Sequence, residues 1–350
     1  MTVGSTRDKR VGVTLELVAV RAGVSRATVS RVVNGSPRVS SQVRLDVERA
    51  IGELGYTPNR AARSLVTGRT GSIAIVITEP SGRLFSDPFF PRLLRGASGV
   101  LSARDLQMVL LMPSSPEETE RTGQYLTAGH VDGVLTVSLH GGDPLPGRLF
   151  KADVPLVLVG RPPRGISASY VDVDNRQGAR SAVEHLIACG RRVIGTITGP
   201  ADMVVGVDRL AGYREAIAEA GLPVDRHLEA CGSFTQEGGA DAMTRLLAAR
   251  PDIDGVFAAS DLMATGALSV LSQAGRRVPA DVSVVGFDDS LVATSTHPPL
   301  TSVHQPIEEM GQEAARLLVE AVDGRGRALR SVTLSTSVVE RASSAGRFSP

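Results

Sequence analysis

Residues 13–65 read VTLELVAVRAGVSRATVSRVVNGSPRVSSQVRLDVERAIGELGYTPNRAARSL, and this stretch decides how the first part of the chain folds. Two short helical patterns meet at a tight glycine turn, residues 22–25. The second pattern, Arg26 to Asn34, carries arginines on one face and three valines on the other: Val29, Val32 and Val33. This layout predicts a helix-turn-helix, whose second helix enters the major groove of DNA.

The distribution of charge agrees with a DNA-binding head. Residues 1–70 contain 12 Lys or Arg against 5 Asp or Glu, whereas the other 280 residues contain 26 against 32. The net charge of +1 is therefore the sum of a basic N-terminal part and a slightly acidic remainder. Such an asymmetry favours nucleic acid as the partner of the head.

The residues around this motif complete a small all-α domain. Thr14 and Ser25 are expected to cap the first two helices. A third helix is predicted from Ser41 to Leu54, because its apolar residues recur at three- and four-residue spacing and Gly55 follows it. Residues 59–65 could form one further short helix, too short to be stable alone in water.

A different texture begins at Ser72, where short β-branched apolar runs alternate with helical patterns. The runs cover residues 72–78, 108–112, 133–137, 155–159, 193–197, 255–259 and 282–286, and the helical patterns cover 91–103, 117–128, 176–188, 209–220, 236–249 and 261–273. This alternation predicts parallel sheets covered on both faces. Because one sheet would be crowded, we expect two doubly wound α/β lobes, with ligands bound outside the carboxyl ends of the strands.

Several classes of protein and site are disfavoured. Cys189 and Cys231 lack metal-ligand spacing, so we expect two free thiols and neither a metal nor a cofactor. There is no apolar run of membrane-spanning length and no secretory signal, which argues against a transport binding protein and predicts a cytoplasmic, nucleoid-associated protein. An α/β enzyme is disfavoured because no phosphate-binding loop and no nucleophile–base pair stand out.

Nine motifs in order make the chain resemble the LacI/GalR family of bacterial transcriptional regulators over nearly its whole length. They are VSRATVSRVVNG (24–35), GYTPNRAARSL (55–65), DPFFPRLLRGA (87–97), VDVDNRQGA (171–179), HLIACGRRVIGTITGP (185–200), DRLAGYREA (208–216), SDLMATGAL (260–268), DVSVVGFDD (281–289) and PPLTSVHQP (298–306). The resemblance implies a homodimer with a DNA head, a hinge helix and a periplasmic-binding-protein-like body.

The resemblance also sets the expected domain boundaries. They are a disordered leader (1–12), a helix-turn-helix domain (13–58), a hinge helix and linker (59–70), a body (71–342) and a tail (343–350). In such bodies the chain crosses between lobes three times, here expected near Val173, Val303 and Arg330. The first lobe then comprises residues 71–173 and 304–330, and the second comprises 174–303 and 331–342.

At the DNA, the resemblance places Arg26, Ala27 and Arg31 at base-reading positions. Arginine can hydrogen-bond guanine O6 and N7 together, whereas a phosphate contact is the alternative for Arg26. The other predicted DNA contacts are Thr14, Leu15, Ser25, Thr28, Asn34, Asn59 and Ala62. Leu65, on the hinge helix, would wedge into the minor groove of a palindromic operator with a central CpG step, unless it packs on the body.

In the cleft, Asp288 follows a strand, and Arg209 is expected to open a helix. Together they could hold vicinal hydroxyls of a sugar. The resemblance places both facing the effector, along with Ser260 and Asp261 at the start of another helix. In a chain with so few aromatic residues, the three near the predicted cleft suggest stacking faces for a sugar ring: Phe89, Phe90 and Phe234. Two alternatives stay open: Asp261 could only cap its helix, and Phe90 could belong to the core.

These features predict a repressor that binds operator DNA as a dimer and is released by a small ligand, rather than an enzyme. The apolar Met203-Val204-Val205 argues against a purine, because purine-responsive relatives carry polar sequence there, and leaves a mono- or oligosaccharide. The alternative is a corepressor-dependent repressor or dual regulator that responds to a non-sugar metabolite. The tail has no leucine heptads, so we expect no tetramer.

Overall fold

The structure is a computed structural model and describes residues 13–33, 36–57, 68–163, 165–325 and 328–344. The chain divides between Thr70 and Gly71 into two units, each with its own hydrophobic core.

The first unit contains three helices, α1 (Leu15–Ala22), α2 (Arg26–Val33) and α3 (Ser41–Leu54). Gly23 ends α1 in the left-handed conformation (φ 66°), where its N–H bonds the carbonyls of Ala19 and Val20. Glycine adopts this conformation without steric cost, so the chain can turn directly into α2. The buried side chains of all three helices meet in one core, formed by Val18, Ala19, Val29, Val32, Val47 and Ala50. The predicted helix-turn-helix is confirmed.

The second unit begins with a lobe built on a six-stranded parallel sheet of order β11-β5-β4-β3-β1-β2. The strands are β1 (Ser72–Ile77), β2 (Gln107–Leu111), β3 (Gly133–Val137), β4 (Leu156–Val159), β5 (Ser169–Val173) and β11 (Ser331–Leu334). The helices of this lobe are α4 (Ser81–Ser86), α5 (Phe89–Ser102), α6 (Pro116–Thr127), α7 (Leu145–Lys151) and α13 (Ile307–Val322).

The second lobe repeats this architecture with the order β12-β10-β9-β8-β6-β7, in which only the β12–β10 pair is antiparallel among the described pairings. Its strands are β6 (Ile194–Thr198), β7 (Glu229–Cys231), β8 (Gly255–Ala258), β9 (Ser283–Asp288), β10 (Thr301–His304) and β12 (Ser337–Val339). Its helices are α8 (Asn175–Ala188), α9 (Val204–Glu219), α10 (Gln236–Ala249), α11 (Asp261–Gln273) and α12 (Leu291–Ser295). The two-lobed α/β body is as predicted.

Two helices of the first lobe, α5 and α13, pack together through glycines. A Cβ at Gly96 would overlap the carbonyl oxygen of Glu308, and one at Gly311 would overlap that of Leu93. The absent side chains let the two backbones approach, which closes one face of the sheet.

The chain crosses between the lobes after β5, after β10 and between β11 and β12. The first two crossings lie where the sequence places them. The third was expected near Arg330, and that expectation is wrong. Residues Ser331–Leu334 pair in parallel with β5 and extend the first sheet, so the crossing falls after Leu334.

Sequence patterns located seven of the described strands and missed several other elements, at the edges and inside the sheets. Strands β5, β7, β10, β11 and β12 and helices α4, α7, α12 and α13 have no counterpart among the predicted runs. One predicted boundary also moves, because α9 begins at Val204. Arg209 therefore lies in the second turn of this helix and does not open it.

None of the described helices is long and apolar enough to cross a membrane.

Candidate functional site

The solvent-exposed face of α2 carries the predicted base-reading side chains. Ser25 caps the helix, because its Oγ accepts a hydrogen bond from the Thr28 N–H at 3.2 Å. Ala27, Arg26 and Arg31 are exposed, whereas the valines on the opposite face are buried or half-buried. The fold thus presents both arginines to solvent on one short helix.

Arg26 has a partner within its own unit. Its Nε lies 2.8 Å from Glu16 Oε1, and the two side chains are 69% and 60% exposed. A hydrogen bond to the Glu16 carboxylate from its own backbone, then one from Thr14, then the Arg26 charge lower the pKa of Glu16. Exposed ion pairs of this kind are weak, so the guanidinium can exchange Glu16 for another partner.

The other predicted DNA contacts are placed in part. Thr14 is exposed beside α1, without a side-chain capping bond, and Leu15 is half-buried against the three-helix core. Asn34, Asn59, Ala62 and Leu65 lie outside the described residues, as does the predicted hinge helix.

A cleft with an empty volume of about 720 Å³, its open mouth included, lies between the two lobes of the second unit. It forms at the carboxyl ends of the parallel strands, where such folds bind ligands. Its walls include Ser138 after β3, Asp172 near the end of β5, Ser260 after β8 and Asp288 at the end of β9.

Arg209 reaches this cleft from α9 and is buried. Its Nε donates to Asn175 Oδ1 at 2.9 Å, and its Nη1 donates to the Ala259 carbonyl at 2.6 Å. The guanidinium carbon lies 3.5 Å from the centroid of the Phe287 ring, and Nη1 lies 3.6 Å from Asp288 Oδ1. The guanidinium is therefore held in place before any ligand arrives.

Three carboxylates in the cleft wall, Asp87, Asp172 and Asp288, are buried around this cation. Burial raises the pKa of each. For Asp288 burial raises the pKa well above its usual value; the Arg209 charge opposes this rise, and the charges of Asp261 and Asp87 add to it. Ionised or protonated, each carboxyl group keeps an oxygen that can accept a hydrogen bond from a hydroxyl.

The three predicted aromatic residues also meet in this cleft. Phe89, Phe90 and Phe234 line it, and the rings of Phe89 and Phe90 pack edge to face with centroids 5.4 Å apart. Phe90 and Phe234 are almost fully buried. Phe90 therefore belongs both to the first-lobe core and to the cleft wall.

Ser260 and Asp261 prove to have different positions. Ser260 lines the cleft and caps α11 by accepting from the Met263 N–H at 3.3 Å. Asp261 is not among the residues that line the cleft. Its carboxylate accepts from the Ser290 N–H and Oγ at 2.7 and 3.0 Å and from Ser302 Oγ at 2.5 Å. The prediction of a direct effector contact is corrected: Asp261 fixes the loop that follows Asp288.

Several cleft residues escaped the sequence analysis: Arg83, Asp87, Asn175, Asp172 and Gln305. Asp87 stands in the quoted DPFF motif, and Asp172 and Asn175 stand in VDVDN at the end of a strand, so a signal was present for them. Gln305 donates to Asp288 Oδ1 at 2.5 Å and follows an unpredicted strand. Arg83 lies on a short helix without any recognisable motif.

Two of the ion pairs between described residues join the lobes beside the cleft. Arg161 Nη2 donates to both carboxylate oxygens of Asp208 at 2.6 Å. His140 Nδ1 lies 2.7 Å from Asp202 Oδ2, and its Nε2 lies 3.3 Å from Glu79 Oε1. Hydrogen bonding to Glu79 and then to Asp202 raises the pKa of His140 to about 9, against the cost of burial. The ring is therefore protonated at neutral pH and donates to both carboxylates.

Comparison with known proteins agrees with both units. Residues 14–59 match the family described as bacterial regulatory proteins, lacI family, and residues 183–344 match a periplasmic binding protein-like domain. The chain is 52% identical over 339 residues to the transcriptional regulator CelR of Thermobifida fusca, which covers 96% of this chain and 99% of that protein. This chain belongs to the LacI family.

Other regulators are similar to the chain over nearly the same length, two of them at lower identity. The ribose operon repressor of Escherichia coli K12 is 34% identical over 94% of this chain and 99% of its own length. A CelR–cellobiose complex superposes with a TM-score of 0.77 at 50% identity, covering 95% and 99% of the two chains. The lac repressor dimer bound to operator and the anti-inducer ONPF gives 0.84 at 27% identity, covering 96% and 100%. These relatives are transcriptional regulators, so this LacI-family chain is a regulator and not an enzyme.

Proposed function

We propose that this protein is a repressor that binds a palindromic operator as a homodimer and is released when a neutral saccharide binds between its lobes. The observation that carries the proposal is the cleft itself. It brings one buried guanidinium, three buried carboxylates and three phenylalanine rings together in a space suited to a small ligand. A sugar offers hydroxyls to the charged groups and its apolar ring faces to the phenylalanines.

The DNA half of the proposal rests on the exposed face of α2. Arg26 and Arg31 read guanines in each half-site, Ala27 makes an apolar contact, and Ser25 and Thr28 bond phosphates. The two-fold symmetry of a dimer makes the operator palindromic. A central CpG step, wedged open by Leu65 with Asn59 and Ala62 nearby, is a proposal from family resemblance. Such a partner places the protein in the cytoplasm, at the nucleoid.

Cellobiose, or another β-linked glucose oligomer, is the effector we propose. The CelR–cellobiose complex, at 50% identity, supports a saccharide in the corresponding cleft. The apolar residues Met203, Val204 and Val205 line this cleft, which suits a sugar ring and offers nothing for the polar edge of a purine.

The test begins with an operator selected from random duplex DNA, and then measures its binding by fluorescence anisotropy with and without cellobiose. We expect cellobiose to weaken binding. Arg31→Ala should weaken operator binding by about 1–3 kcal/mol for each half-site, because a bidentate base contact is lost in both, so the palindrome loses about 2–6 kcal/mol, roughly 30-fold or more. Calorimetry should show an unchanged affinity for cellobiose.

The control variant is Arg49→Ala, which removes another exposed arginine of the same unit, on α3. It should change operator binding far less. Equal losses in the two variants would contradict base reading by α2. An increase of operator affinity with cellobiose would instead establish a corepressor, and a response confined to non-sugar metabolites would overturn the saccharide assignment.

A further inference from the structure

Residues 202–209 lead into α9 and form its first turns. Four of them line the cleft: Met203, Val204, Val205 and Arg209. Asp202 and Asp208 are not among the described residues that line it, and each pairs instead with a side chain of the first lobe. The cleft wall that this segment provides is therefore attached to the first lobe near both of its ends.

Asp208 is held by Arg161, which follows β4. The Nη2 of Arg161 donates to both carboxylate oxygens of Asp208 at 2.6 Å, and the two side chains are 50% and 19% exposed. The backbone N–H of Arg161 donates to Asp172 Oδ2 at 2.9 Å. Because Asp172 lines the cleft, the contact with α9 starts from a backbone position that the cleft wall itself fixes.

Asp202 is held by the loop that follows β3, through its side chain and its backbone. His140 Nδ1 lies 2.7 Å from Asp202 Oδ2, and the N–H of Gly141 donates to the Asp202 carbonyl oxygen at 2.8 Å. A Cβ at Gly141 would lie 3.1 Å from that oxygen, so glycine permits the close approach. The buried Glu79, 3.3 Å from His140 Nε2, orients the imidazole from within the first lobe.

Separation of the lobes at this wall would break both contacts. Charge-assisted hydrogen bonds are stronger than neutral ones, so the two contacts favour the arrangement seen here. Because the side chains of Arg161 and His140 are partly exposed, water can replace the lost partners, and the contacts can open and close reversibly.

We propose that Asp202 and Asp208 are positioning residues that together clasp the second lobe to the first, and that this clasp sets how slowly a bound effector leaves the cleft. The part that concerns the effector rests on the proposed function. Neither residue lines the cleft, so their removal acts on the separation of the lobes and leaves the ligand's own contacts in place. Dissociation requires the lobes to separate, whereas association begins with separated lobes and changes little.

The experiment is surface plasmon resonance with cellobiose on the immobilised full-length protein and on the double variant Asp202→Ala/Asp208→Ala. We expect the variant to release cellobiose about tenfold faster, with an association rate within about threefold of the wild type. Its melting temperature should stay close to that of the wild type, since both changes lie at partly exposed pairs.

The matched control is Glu219→Ala/Asp281→Ala, which also removes two carboxylates of the second lobe. Glu219 lies on α9 and pairs with Arg180, and Asp281 pairs with Arg277, so both partners belong to the same lobe. The control should release cellobiose as the wild type does. Raising the salt concentration from about 0.05 to 0.5 M should speed release from the wild type and the control but not from the clasp variant, because salt screens exposed pairs and cellobiose is uncharged.

Hydrogen exchange of the Gly141 amide reports the clasp without any ligand. In the clasp variant this amide should exchange at least about tenfold faster than in the wild type, because its acceptor belongs to the other lobe. Release of cellobiose within about twofold of the wild-type rate would overturn the inference while the proposed function stands. If the wild type binds no saccharide, the proposed function is overturned and the exchange measurement decides: faster exchange in the variant supports the clasp, and unchanged exchange overturns it.

Discussion

The recognition helix α2 and the inter-lobe cleft both depend on arginines, but they hold them in opposite environments. Arg26 and Arg31 are exposed on a helix whose stability comes from the valines on its other face. Arg209 is buried among carboxylates, and Arg83 is nearly so. On α2 an arginine can change without disturbing the fold, whereas in the cleft the same residue type holds buried groups together at the place where we propose that the ligand binds.

The largest effect is expected for Arg209→Met, which keeps much of the length of the side chain and removes its charge. Asp288, Asn175 and the Ala259 carbonyl would lose a partner while remaining buried. Breaking a buried charge cluster in this way costs about 3–5 kcal/mol of unfolding free energy. Thermal unfolding should therefore begin about 10 °C lower, and calorimetry should detect no cellobiose binding.

Arg214→Met provides the control on the same helix. Arg214 is 43% exposed and makes two hydrogen bonds to Glu229, at 2.8 and 2.6 Å. Because the Glu229 side chain is only 12% exposed, loss of this half-buried pair should cost about 1–3 kcal/mol, less than loss of the buried cluster around Arg209. Equal destabilisation by the two variants would show that burial does not distinguish these arginines.

The same difference explains what the sequence could predict. The α2 face and its cap lie within ten consecutive residues, 25–34, so Ser25 and Val29 reveal their roles by spacing alone. The cleft joins residues far apart in the chain, such as Asp87 and Gln305, which meet only when two sheets are assembled. The position of Asp288 at the end of a predicted strand indicated that it lies at the cleft, whereas nothing in the sequence around Arg83 indicated this.

Edge elements were missed for a related physical reason. Strand β11 (SVTL) is partly exposed, and it pairs along one side only, with β5. Its sequence therefore lacks the continuous apolar run that marks a central strand such as β3, which is buried throughout. Nothing in this pattern therefore corrected the crossing that the resemblance placed near Arg330, and the pairing of β11 with β5 moves it beyond Leu334.

A group of intermediate burial, His140, should show an effect of intermediate size. Its folded pKa of about 9 lies above the unfolded value of about 6.5. Its contribution is therefore fully present below pH 6.5 and is lost as the pH rises through 9. Because a third of the ring is exposed, solvent screening reduces this contribution to about 1 kcal/mol, or roughly 2–4 °C of melting temperature.

The measurement compares melting temperatures at pH 6.5 and 9.5 for the wild type and His140→Gln. Between pH 6.5 and 9.5 the melting temperature of the wild type should fall by about 2–4 °C more than that of His140→Gln. Glutamine keeps a donor for Glu79 or Asp202 but does not titrate. A pH dependence that is identical in the two proteins would refute the assignment of the effect to His140.

The smallest expected effect concerns the exposed ion pair between Arg26, on α2, and Glu16. If Arg26 must leave Glu16 to read a base, Glu16→Gln should raise operator affinity about two- to fivefold, the range for an exposed ion pair. Removing any acidic group near DNA also reduces repulsion of the phosphates, so Glu53→Gln, which frees Arg21 on a different helix, is the matched control. Only the excess of the first variant over the second reports competition for Arg26. Equal gains would mean that Arg26 contacts DNA without giving up Glu16, as a phosphate-binding arginine can.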